Sequence, residues 1–167
     1  MDDRLFPGMT LLWKRESISG KLWTLRLEGK IIASIQSSIF GRRGKGNYGD
    51  RSFTISKAGF KDPLVFRDDG NGLPLAELSR LAFPCQVSKG GILRYQMMKT
   101  GTFDYALRDM TGRMVLSIHV DKHSLLTYNF AGMQVREANK DDLDLFFLSA
   151  VFMFVVKHHL PFDWDAL

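Results

Sequence analysis

The sequence predicts a mainly β fold, an antiparallel sandwich or barrel, with one hydrophobic C-terminal α-helix as its core. Three observations carry this. Short runs in which every second residue is apolar recur from Thr10 to Val135. Clusters of Gly, Asn and Asp separate them at regular intervals. One long apolar run then follows, Leu143–Val156, reading LDLFFLSAVFMFVV. A helix apolar all round must be buried in protein or in lipid.

The strands are justified in chain order. Thr10–Arg15 is the first candidate. In Lys21–Glu28, Trp23, Leu25 and Leu27 share one face, with Thr24, Arg26 and Glu28 opposite. Ile31–Gln36 follows, then Arg51–Ser56, where Phe53 and Ile55 face one way, then Pro63–Phe66. Leu75–Leu81 is ambiguous, because Leu75, Leu78 and Ala82 also suit a helical turn. Leu93, Tyr95 and Met97 repeat the alternation, as do Phe103, Tyr105 and Leu107. Met114, Leu116, Ile118 and Val120 form the clearest run, with Ser117 and His119 outward. Leu126, Tyr128 and Phe130 come next, then Met133 and Val135. Turns are expected at Glu28-Gly29-Lys30, Asp68–Gly72, Lys89-Gly90-Gly91, Asp109–Gly112 and Asp121-Lys122, since tight hairpins need positive φ.

The helix is expected over about 140–159. Asn139 caps it, and Asp141 and Asp142 sit in the first turn, where the dipole favours negative charge. Lys157, His158 and His159 occupy the last turn, and Leu160-Pro161 stops the helix. The apolar run has 14 residues. It extends roughly 20 Å at 1.5 Å per residue, whereas a membrane span needs about 20 residues. That length suits the core of a barrel. Asp144, an acid inside the run, is expected at the barrel rim near the helix start.

Composition narrows the class. The 167 residues suit a single domain, 1–167. Thirteen Phe suggest a bulky core, and the net charge of +5 favours acidic partners without demanding one. Cys85 is the sole cysteine, so an intramolecular disulfide and a multi-cysteine zinc site are excluded. Met1-Asp2-Asp3-Arg4 precedes no apolar signal core, and no lipidation motif stands at either end. A cytoplasmic monomer is expected, with peripheral membrane attachment as the variant.

Strand after strand followed by one apolar helix resembles the tubby-like fold. The resemblance covers about Leu11 to His159 and is best over Tyr105–Val156. There, Asp104-Tyr105-Ala106-Leu107-Arg108-Asp109-Met110-Thr111-Gly112 resembles a strand–turn of that superfamily. Tyr128-Asn129-Phe130 then leads to Asp141-Asp142-Leu143 and the helix. The superfamily comprises the tubby C-terminal domain, the phospholipid scramblases and the LURP-one-related proteins. The resemblance implies a closed antiparallel β-barrel of about 12 strands around a central hydrophobic C-terminal α-helix, and a non-enzymatic binding role. It also implies a phosphoinositide-type ligand, which the tubby domain holds in a basic pocket. The scramblases' proline-rich N-terminal region and cysteine cluster are absent, which puts scrambling in doubt.

The strongest site candidate is the loop Gly41-Arg42-Arg43-Gly44-Lys45-Gly46-Asn47-Tyr48-Gly49, with Arg51 just beyond. Its four glycines free backbone N–H groups to face an anion, and Arg42, Arg43, Lys45 and Arg51 supply charge. It does not fit the Walker spacing. The bland reading is a solvated hairpin loop. Tyr48 and Phe40 beside the cations would also suit nucleic acid, but no further basic cluster extends the patch. His119 and His123 with Asp121 lie on a strand and a turn, which does not put metal ligands on one face. His158 and His159 point apart, Asp68–Gly72 lacks the ligands of a calcium loop, and Cys85 has no base partner in sequence. No catalytic residue, metal or cofactor is expected. The expected partner is anionic membrane lipid or an unidentified protein, and nucleic acid is not expected.

Overall fold

In the computed structural model, twelve antiparallel strands close into a barrel and one helix fills it. The residues described are 8–16, 22–37, 43–57, 59, 61–121, 130–136 and 144–159. In order, β1 is Thr10–Arg15, β2 Leu22–Leu27, β3 Lys30–Ser37, β4 Gly44–Tyr48, β5 Arg51–Lys57 and β6 Leu64–Asp68. Then come β7 Pro74–Leu78, β8 Cys85–Lys89, β9 Ile92–Lys99, β10 Asp104–Asp109, β11 Met114–Asp121, β12 Phe130–Val135 and α1 Leu145–His159. Each strand pairs with its neighbour in sequence, and β1 closes the ring on β12 with Leu11 opposite Met133. Closure leaves no unpaired strand edge.

The meander gives the barrel two unlike ends. At one, β2–β3, β4–β5, β6–β7, β8–β9 and β10–β11 turn within two to five residues. Among the described residues, every positive φ lies at this turn end: Gly8, Glu28, Gly29, Gly49, Gly72, Gly90, Gly91 and Gly112. Gly90 and Gly91 form a two-residue turn that needs left-handed backbone at both positions. The opposite end carries connections of four to eight residues.

Alternation points one side chain of each pair inward. Trp13, Trp23, Leu25, Ile35, Phe53, Ile55, Phe66, Leu78, Tyr95, Met97, Leu107 and Ile118 are buried. The helix meets them with Phe147–Val156, all at most 2% exposed. Its one interior hydroxyl, Ser149, donates to the Leu145 carbonyl at 2.6 Å, so no polar group is stranded. The rings of Tyr48, Phe53 and Phe66 surround Phe147 at centroid distances of 5.2, 5.5 and 5.8 Å. Phe66 also reaches Phe154 at 5.9 Å.

Three sequence expectations change. Gly44–Tyr48, expected within a basic glycine loop, is strand β4, paired to β3 and β5. Its glycines clear space. A Cβ on Gly44 would lie 3.1 Å from Phe154 Cε2 and 2.7 Å from the Gln36 carbonyl. One on Gly46 would overlap the Phe53 ring and the Ser34 carbonyl. The ambiguous Leu75–Leu81 segment resolves as strand up to Leu78, within β7, with Ala76 and Leu78 inward, because β6 and β8 supply its hydrogen bonds. The helix begins at Leu145, not near 140, and Asp144 caps it: Phe146 N–H donates to Asp144 Oδ1 at 2.7 Å. Asp144 is exposed, as the rim position requires. Asn139, Asp141, Asp142, Leu126, Tyr128 and Pro161 lie outside the described residues. At the far end, Lys157 Nζ donates to Ser37 Oγ at 2.6 Å. His158 Nδ1 lies 2.6 Å from the Phe154 carbonyl.

Phe147→Ala is expected to destabilise the protein by about 3–5 kcal/mol. Gly46→Ala should lose about 1–3 kcal/mol through overpacking. Lys45→Ala, one residue away on the outer wall, should stay within about 0.5 kcal/mol. Urea unfolding of the three variants checks the order.

Candidate functional site

The hairpin of β4 and β5 decides where the candidate cations go. Lys45 pairs across to Gln36 on β3 and Thr54 on β5 and is exposed on the outer wall. Arg43 precedes β4 and is also exposed, while Arg42 lies outside the described residues. Arg51 stands opposite Tyr48, in phase with the inward Phe53 and Ile55. It therefore belongs to the barrel mouth at the turn end. Arg43 and Arg51 are separated by roughly 15 Å along the hairpin at about 3.4 Å per residue. Among the described residues, Arg43, Lys45 and Arg51 do not converge on one pocket, and Gly44 and Gly46 between them face the barrel interior rather than an anion.

At the mouth, Arg51 meets acids. Its Nη2 lies 3.7 Å from Asp68 Oδ2, and the Asp68 side chain is 7% exposed. Asp68 Oδ1 accepts from Gly70 N–H at 2.7 Å and Asn71 N–H at 3.3 Å, which fixes the β6–β7 turn. Asp68 Oδ2 is buried without a hydrogen bond. Tyr48 lies beside this group, and burial pushes its phenol above the ordinary value; nearby Arg51 pulls it down and Asp68 and Asp144 raise it. A cation already facing Asp68 is a poor anion trap.

A second feature was not visible in the sequence. A groove of about 440 Å³ runs over the outer wall across β1, β12, β11 and β10. Ala106, Ser117 and Gly132 line it as small residues, between Arg136 and the pair His119–Asp104. Asp104 lies opposite His119 in register, and Asp104 Oδ1 is 2.7 Å from His119 Nδ1. Arg136 Nε donates to Ser117 Oγ at 3.2 Å. The sequence shows His119 facing outward, but only the β10–β11 register brings Asp104 to it. His123 lies outside the described residues. Among the described residues, no group of three metal-ligating side chains comes together, and no helix is long and apolar enough to cross a membrane. Cys85 is buried, and its thiol, pushed up by burial, donates to the Arg80 carbonyl at 2.9 Å.

No family model matches the sequence, and no curated protein matches it. By fold, the chain is similar to the X-ray structure of a protein from Arabidopsis thaliana, with a TM-score of 0.51. The likeness covers 92% of this chain and 93% of that one at 9% identity. At that identity it shows the architecture alone.

If Asp68 serves the turn more than the arginine, its removal should matter more. Asp68→Ala is expected to lose about 1–2 kcal/mol with its two turn hydrogen bonds. Arg51→Ala should lose under about 1 kcal/mol, because the guanidinium is largely solvated. Thermal unfolding of both variants checks this.

Proposed function

We propose that this chain is a non-enzymatic binding module that docks by its outer surface on membranes carrying anionic phospholipid. The observation that carries the reading is the filled lumen. Phe147–Val156 occupy the space that a barrel of this kind would otherwise offer to a small ligand. Recognition is therefore a matter for the outer surface. The net charge of +5 favours an anionic partner. The tubby-like resemblance points to phospholipid among such partners.

Arg42, Arg43, Lys45 and Arg51 enter this reading as contributors to the overall field, not as a head-group pocket. Exposed charges beyond a Debye length of about 8 Å are screened at physiological salt. A second reading, a protein-interaction domain without lipid binding, is favoured by the open groove between Arg136 and the His119–Asp104 pair.

Co-sedimentation with liposomes separates the two. The purified chain should pellet with phosphatidylserine or phosphoinositide vesicles and not with neutral ones, and less so as salt rises. Failure to pellet with any vesicle at low salt would retire the lipid reading in favour of a protein partner. Arg43→Glu/Lys45→Glu takes the net charge from +5 to +1, since each substitution removes two units. It should weaken anionic-vesicle binding severalfold at low salt and little at physiological salt.

A further inference from the structure

The exposed large apolar side chains of this barrel are not scattered. Among the described residues they are Leu12, Ile31, Leu73, Ile92 and Met110. Strand order places Ile31, Leu73, Ile92 and Met110 at the turn end, beside the β2–β3, β6–β7, β8–β9 and β10–β11 turns. Three of them, Leu73 at 62%, Ile92 at 57% and Met110 at 57% exposed, stand on consecutive hairpins. Adjacent hairpins are about 10 Å apart, two strand spacings of about 4.8 Å. These tips define an arc of roughly 20 Å along the rim.

Charge divides the same rim. On the arc from β8 round to the β12–β1 junction the described ionisable groups are Lys89, Asp109, Arg113 and Arg136. The one acid among them turns into its own hairpin. Asp109 Oδ1 accepts from Thr111 N–H at 2.9 Å, Thr111 Oγ1 at 2.6 Å and Arg113 N–H at 3.0 Å, and the residue is buried. The remaining rim acids, Glu28, Asp50, Asp68, Asp69 and Asp144, lie from β2 to β7 and at the helix cap. Ile92 and Met110 thus stand on the half of the rim from β8 to β1, where the cations outnumber the one buried acid, with Leu73 at its border. Aliphatic tips with flanking Lys and Arg suit the boundary between lipid head groups and acyl chains.

We infer that the turn end is the membrane-facing surface, with Ile92 and Met110, flanked by Leu73, entering the head-group boundary while Lys89, Arg113 and Arg136 meet anionic head groups. The inference rests on the lipid-docking reading above and adds its orientation and contact residues.

Site-specific labelling tests it on the full chain. Cys85 is 0% exposed, so a thiol-reactive, polarity-sensitive dye should report an introduced cysteine and leave the unaltered chain unlabelled. Met110→Cys and Ile92→Cys probe the tips, and Lys45→Cys probes the outer wall. With phosphatidylserine vesicles, dye at the tips should shift to the blue and become shielded from an aqueous quencher at least threefold, while dye at position 45 stays accessible. In unlabelled protein, Ile92→Asp/Met110→Asp should lower vesicle affinity at least tenfold with unfolding behaviour unchanged. If the chain pellets with these vesicles but the tips stay accessible, the orientation is wrong and the docking reading survives. If nothing pellets, both fall. A blue shift at the tips that grows with protein concentration in the absence of vesicles would assign the rim to self-association and overturn the inference.

Discussion

The contact on which the structure depends is the seating of Phe147 and Phe154 against β4, β5 and β6. The helix is apolar on every side, so it is stable only where the wall surrounds it. The wall in turn alternates apolar residues toward a lumen that would stand empty without the helix. Neither half has an independent solution. Gly44 and Gly46 show how tight the fit is. Where Phe154 and the Phe53 ring approach β4, even a methyl group meets neighbouring atoms. Close packing of this kind makes the core respond to single methylenes.

Filling the lumen has a functional consequence. Many closed barrels bind ligands inside, but here the interior belongs to the chain itself. Function is displaced to the wall and the two ends. The ends differ because a meander of twelve strands sorts its connections by parity. Positive-φ turns gather at one end with the helix cap Asp144 and the exposed Leu73, Ile92 and Met110. The other end holds the longer connections and the Lys157–Ser37 contact.

Much of the architecture was legible because one physical signal, side-chain alternation, is local. Trp23/Leu25, Tyr95/Met97 and Leu116/Ile118/Val120 are inward as their spacing implies, and the apolar run is the buried helix. What failed was equally physical. Strand β4 was hidden because two of its three inward positions, Gly44 and Gly46, are glycine and only Tyr48 is apolar, so the alternation is too weak to read and the segment looks like a flexible basic loop. Clearance for a helix distant in sequence and freedom to cradle an anion leave the same residues on the page. The helix start was misplaced because Asn139, Asp141, Asp142 and Asp144 are all plausible capping residues, and only the backbone selects Asp144. The His119–Asp104 pair depends on register between two strands, which no single strand encodes. The dispersal of Arg43, Lys45 and Arg51 follows from the same hairpin.

The central claim is that α1 is the core of the barrel and not a segment held for a membrane. Hydrogen exchange read by mass spectrometry on the intact chain, with and without anionic vesicles, addresses it directly. The amides of Phe147–Val156 should exchange as slowly as those of β10 and β11 in the free protein, opening only with global unfolding, and vesicles should leave them unchanged. Rapid exchange of that segment in solution, with protection gained on adding vesicles, would contradict the account.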